Sequence, residues 1–167
     1  MSIVRMYHIP DDAPRPTHYR EAWWDDDTSE FVVHHGKVGE SGTTTVEHMA
    51  DSDEAEALLE SFAVQNTADG YVDAHDIEHE PFTVSVKLKG SSPTTVEETN
   101  AEKFAIEYTA LLAWRGIGAV EDWDAASDEG LFRFQVNAVH RNKAMKFAGE
   151  ALKKTEFRVD RMKVERN

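Results

Sequence analysis

The chain has 167 residues, no cysteine and a formal net charge of −14 at pH 7. The lack of cysteine excludes disulfides, thiolate zinc sites and cysteine nucleophiles, and leaves any metal chemistry to histidine and carboxylates. No apolar run approaches a membrane span, and the opening Met1-Ser2-Ile3-Val4-Arg5-Met6-Tyr7-His8 lacks the apolar core of a signal peptide, so a cytoplasmic chain with no membrane partner is expected.

Charge is divided unevenly along the chain. Residues 1–80 hold 4 Lys+Arg against 19 Asp+Glu, net −15, whereas residues 81–167 hold 14 against 13, net +1. Nucleic-acid affinity rests on cations that displace condensed counterions, so the first half as a whole repels a phosphate backbone. The length suits two small domains, and a polar stretch without periodicity, Asp73 to Glu80, precedes an alternating run that starts at Phe82. The boundary is therefore placed near Pro81, giving domains over 1–80 and 81–167.

In chain order, Tyr19–Trp24 and Phe31–His35 read as two strands joined by the turn-forming run Asp25-Asp26-Asp27-Thr28-Ser29-Glu30. Gly36, Gly39 and Gly42 interrupt the chain before Thr43-Thr44-Thr45-Val46, a β-branched run suited to another strand. A helix follows. Asp51 with Glu54 three residues on has the spacing of a capping box, and Ala55, Leu58, Leu59, Phe62 and Ala63 form an apolar stripe. Gly70 lies where a left-handed C-cap is expected.

This order of pieces resembles the WGR domain family over roughly residues 1–80. The pieces are Phe31-Val32-Val33-His34-His35-Gly36-Lys37-Val38-Gly39, then Gly42-Thr43-Thr44, an amphipathic helix, and Gly70-Tyr71. His35 stands where the family has Trp, Gly36 is kept, and Lys37 replaces Arg. The family is associated with poly(ADP-ribose) polymerases and with bacterial proteins, and in the former the domain helps engage DNA ends and neighbouring domains. The resemblance thus implies a contact surface at His35 and Lys37, here without the stacking area of Trp or the planar fork of Arg. Strand-end and turn geometry is the plainer use of His35-Gly36-Lys37.

The second half reads βαββαβ. A strand over Phe82–Lys89 precedes a helix around Thr99–Arg115, with Phe104, Ala105, Tyr108, Leu111 and Leu112 on one face. Ala119–Trp123 and Leu131–Ala138 form a hairpin, a helix spans Arg141–Lys154 with Ala144, Phe147, Ala148, Ala151 and Leu152 along its stripe, and Phe157–Val164 closes the sheet. The fold class expected is α+β: a WGR-like antiparallel sheet with one packed helix, then a ferredoxin-like βαββαβ sandwich.

Several short motifs fail on a specific requirement. His75-Asp76-Ile77-Glu78-His79 matches H-x-x-E-H, but Pro81 follows almost at once and no helical stripe precedes it, so a solvated linker is expected rather than a zinc site. Gly39-Glu40-Ser41-Gly42-Thr43 lacks the last Gly of a nucleophile elbow, and Phe31 occupies the first Gly of a phosphate-binding loop ending at Gly36-Lys37. Asp51-Ser52-Asp53-Glu54 lacks the central Gly of a calcium loop and suits helix capping. Phe132 and Phe134 share one strand face, which suits core packing better than base stacking.

No catalytic constellation, metal site or cofactor is therefore expected. The leading expectation is a non-catalytic protein-interaction module, contacting its partner through Trp23, Trp24, His35 and Lys37. The alternative is a DNA-binding protein using Lys37 with the C-terminal cations Arg141, Lys143, Lys146, Lys153, Lys154, Arg158 and Arg161.

Overall fold

The structure, a computed structural model, describes residues 2–167. The chain divides into two compact units, Met1–Glu78 and His79–Asn167.

The first unit contains β1 (Ser2–His8), β2 (His18–Asp25), β3 (Glu30–Lys37), β4 (Thr43–His48), α1 (Ser52–Ala68) and the two-residue β5 (Val72–Asp73). They form an antiparallel sheet in the order β4-β3-β2-β1-β5. At the β2–β3 turn Asp25 Oδ1 accepts from the backbone N–H groups of Asp27 and Thr28, the local side-chain bond that makes aspartate a turn former. Asp51 caps α1 by accepting from the N–H groups of Asp53 and Glu54. The core under the helix is Ala22, Phe31, Ala55 and Leu59, with Val4, Trp24, Val33, Met49, Leu58 and Phe62 packed against it.

The second unit contains β6 (Glu80–Lys87), α2 (Thr95–Trp114), β7 (Gly118–Ala126), β8 (Leu131–Ala138), α3 (Arg141–Leu152) and β9 (Met162–Arg166). Its antiparallel sheet runs β7-β8-β6-β9, so its strands stand second, third, first, fourth, the ferredoxin-like arrangement. Phe82, Val84, Val86, Phe132, Phe134 and Val136 are buried along β6 and β8, and Phe104 of α2 meets Phe134 edge to face at 4.7 Å. Phe132 and Phe134 are thus core residues, not a stacking platform.

Several boundaries differ from the sequence reading. The units divide between Glu78 and His79, because Glu80 and Pro81 already pair with Ala138 and Asn137. Pro81 is tolerated there since β9 reaches only as far as Phe82. The stretch assigned to a linker holds β5 and a 3-10 turn over Ala74–Asp76. Helix α2 begins four residues earlier than expected, where Thr94 and Glu97 close a full capping box. The closing strand begins only at Met162, after a 3-10 turn over Val159–Arg161. Strand β1 had no counterpart in the sequence reading. Among the described residues no helix is long and apolar enough to cross a membrane.

Candidate interaction site

Strand register builds a line of polar residues across the first sheet. Arg5 of β1 stands opposite Glu21 of β2, which stands opposite His34 of β3, which stands opposite Thr44 of β4. Arg5 donates from Nε to Glu21 Oε2 at 2.7 Å and from Nη2 at 2.6 Å, while Glu21 Oε1 lies 2.6 Å from His34 Nδ1. His34 Nε2 donates to the Ser41 carbonyl, and Tyr19 Oη donates to the Glu40 carbonyl at 2.8 Å. Both buried side chains, Glu21 and His34, therefore have partners on each polar atom, as a charge out of water requires. On the same face burial pushes the Tyr7 phenol up to about 12, against the opposing pull of Arg5.

These contacts also explain the glycines. A Cβ on Gly36 would lie 2.8 Å from Gly42 Cα and 3.2 Å from Tyr19 Oη. At Gly42, φ is +67° and a Cβ would lie 2.2 Å from the His35 carbonyl oxygen. Gly36 is thus kept for the close approach of the 39–42 turn to β3 and Tyr19. His35 and Lys37 flank it, both exposed. Sequence reasoning singled out His35 and passed over its neighbour His34, together with Arg5 and Glu21. The signal was present, since the hairpin turn that sets Trp24 opposite Phe31 also sets Glu21 opposite His34.

The two tryptophans have different settings. Trp24 is half-buried beside the α1 core, with Nε1 donating to the Met49 carbonyl at 2.8 Å, so it serves the fold. Trp23 is also half-buried and lies on the sheet face of Glu21, opposite Ile3 and Val32.

The first unit has an apolar groove of about 290 Å³ between α1 and strands β3 and β4. Phe31, Val33, Leu58 and Phe62 make its floor, and Thr45, Glu47, Ser61, Gln65 and Asn66 its rim. Asn66 is held in place: its Nδ2 donates to the Phe62 carbonyl at 2.7 Å and its Oδ1 accepts from Arg20 Nη1 at 2.7 Å. Arg20 also pairs with Asp69 at 2.8 Å and lies 4.2 Å over the Tyr71 ring, fixing the end of α1 to the sheet. Glu47 is the acidic residue of the groove's lining. β4 and α1 together carry Glu47, Asp53, Glu54, Glu56 and Glu60, and neither has a lysine or arginine.

The C-terminal cations are dispersed over α3, the turn after it and the following 3-10 turn. Four are neutralised within their own unit: Arg141 by Glu80 at 3.7 Å, Lys154 by Glu107 at 3.2 Å, Arg158 by Asp160 at 3.0 Å and Arg161 by Glu97 at 3.5 Å. Lys143 is half-buried, whereas Lys146 and Lys153 are exposed.

In the H-x-x-E-H segment, His75 sits in the 3-10 turn with Nδ1 2.8 Å from Asp73 Oδ1, and His79 lies beyond that turn. The two imidazoles are not held one α-helical turn apart, as a zinc helix requires. Among the described residues the acidic group close enough to hold a metal ion is Asp25, Asp26 and Asp27, in the β2–β3 turn.

The family model of the WGR domain matches residues 23–78, which takes in β3, β4, α1 and the groove between them. The chain is also similar to a Bacteroides fragilis protein known from a crystal structure, with 19% identity, 44% of this chain and 19% of that chain covered, and a TM-score of 0.37. The match thus spans about a fifth of that protein's length. No curated protein matches the chain.

Proposed function

We propose that this chain, whose N-terminal half carries a WGR domain, is a non-catalytic protein-interaction module that contacts its partner through the groove between α1 and strands β3 and β4. One observation carries the reading: the half-buried Val33, Leu58 and Phe62 border a groove open to solvent whose lining carries Glu47 and no lysine or arginine. Apolar area left open in this way gains free energy when a partner covers it, about 25 cal/mol per Å² removed from water.

The nucleic-acid role known in this family is the weaker reading for this chain. His35 and Lys37 are exposed, but they belong to the half with net charge −15. Of the C-terminal cations, Arg141, Lys154, Arg158 and Arg161 are already spent on carboxylates.

The test is affinity capture from the native cell, run in parallel with wild-type protein and Ser61→Trp. Ser61 is an exposed rim residue, so the substitution fills the groove without touching the α1 core. A reproducible protein companion that the substitution removes supports the reading; the same companions on both baits, or none, overturns it.

A further inference from the structure

The buried pair of Glu21 and His34 needs more hydrogens than a carboxylate and a neutral imidazole bring. A neutral imidazole carries one ring hydrogen and one lone pair, so one nitrogen donates and the other accepts. His34 is surrounded otherwise. Its Nε2 faces the Ser41 carbonyl, which can only accept, and Tyr19 Oη, whose hydrogen goes to the Glu40 carbonyl. Its Nδ1 lies 2.6 Å from Glu21 Oε1, while Arg5 binds the other oxygen of that carboxyl through Nε and Nη2. Two hydrogens are therefore required, one on Nε2 and one between Nδ1 and Oε1. A carboxylate with a neutral imidazole supplies one.

We infer that the folded first unit holds an extra proton on the Glu21–His34 pair, and that this proton is a pH-sensitive latch on the 39–42 turn. When it leaves, the remaining ring hydrogen serves either Oε1 or the Ser41 carbonyl, and the other nitrogen turns a lone pair towards an acceptor. Glu21 is tied into the sheet by Arg5, whereas Ser41 is exposed in a turn framed by Gly39 and Gly42, at φ +101° and +67°. The turn is the side that gives way. It carries the chain from β3 to β4 and packs on Gly36, so its release frees that end of both strands. A proton bound by the closed form and released by the open one makes closure weaken as pH rises and strengthen as it falls. Within the first unit the titratable side chains facing the pair are Arg5 and Tyr7 of β1 and Tyr19 of β2, and β4 presents the uncharged Thr44. Burial pushes the Tyr7 phenol up to about 12, which keeps it out of the range that matters.

The test is nuclear magnetic resonance of the intact chain, labelled with nitrogen-15 and carbon-13, from about pH 6 to about pH 10, above the ordinary carboxylate range. Through-bond correlation to the backbone identifies the His34 ring. At about pH 7 both of its nitrogens are expected to carry hydrogen. On raising the pH, one hydrogen is expected to leave and the Ser41 carbonyl carbon to shift in the same step. Glu21→Gln is expected to abolish that step. Its amide nitrogen donates to Nδ1 while its oxygen receives Arg5, so His34 keeps a single hydrogen, on Nε2, and the Ser41 bond persists across the range. Four results overturn the inference: a single ring hydrogen on wild-type His34 at about pH 7, both hydrogens retained throughout, loss of one with the Ser41 carbonyl unmoved, or a Ser41 step in Glu21→Gln matching the wild type. Should Glu21→Gln fail to fold, the wild-type titration decides alone.

Discussion

Glu21 and His34 face each other across β2 and β3 with 2.6 Å between Oε1 and Nδ1, and their side chains are 2% and 0% exposed. Glu21 also holds Arg5, so one carboxylate bridges the two side chains and the line ties β1, β2 and β3 together. Such a cluster adds little net stability over an apolar one, but removing its centre leaves Arg5 and His34 without their shared partner. Glu21→Ala is expected to cost the first unit about 3–5 kcal/mol. Urea denaturation followed through the fluorescence of Trp23 and Trp24, with the two tryptophans of the second unit replaced by phenylalanine, reads this unit separately. A loss below about 1 kcal/mol, the scale of an exposed ion pair, would contradict the role assigned to the cluster.

Gly42 and Gly70 both have positive φ, +67° and +90°, but differ in surroundings. A Cβ at Gly42 collides with the His35 carbonyl, whereas at Gly70 its nearest contact is His8 Cδ2 at 3.9 Å. Gly70→Ala should cost only the left-handed penalty, about 1–2 kcal/mol. Gly42→Ala should cost more, roughly 3 kcal/mol or above, because the turn must also move away from β3 and Tyr19. Equal losses in urea denaturation would remove the steric reason given for Gly36 and Gly42.

Glu97 closes the capping box of α2, accepts from Lys89 N and Thr94 N, and faces Arg161. Burial raises its carboxyl pKa, but the bonds from Thr94 and Lys89 and the charge of Arg161 together outweigh that and hold it below the usual glutamate range. A carboxylate depressed in the folded state contributes stability above its unfolded pKa and loses it as pH falls through the folded value. Glu97→Gln should therefore destabilise the second unit at pH 7, by about 1 kcal/mol or more. The gap from wild type should narrow as the medium is acidified below the ordinary glutamate range. Thermal unfolding of both proteins at neutral and acid pH checks this; a gap that widens on acidification would contradict the assignment.

Much of the architecture was legible in the residues. Alternation fixed the β2–β3 hairpin and β8, and helical spacing found α1, α2 and α3, because each has one apolar face and one wet face. Strand β1 was missed because Arg5 interrupts its apolar side. That arginine makes sense only beside Glu21, a partner 16 residues away. The start of α2 was hidden because Thr94-Thr95-Val96-Glu97 has the composition of a loop until its capping bonds are counted. The groove was invisible for another reason. Leu58 and Phe62 obey the stripe that marks a core face, and only the sheet's end at β4 leaves them partly open. Sequence periodicity shows which face of a helix is apolar, not whether enough sheet lies beneath to cover it.

Acidity over the first half and an apolar groove within it together favour a protein partner over a polyanion. Anisotropy titrations of the intact chain with a labelled DNA duplex at about 50 and 200 mM salt, beside affinity capture with wild-type and Ser61→Trp baits, set the two readings side by side. A protein companion that Ser61→Trp removes, with no binding of the duplex even at the lower salt, is the expected result. Tight duplex binding that falls steeply as salt rises, with no companion captured, would contradict it.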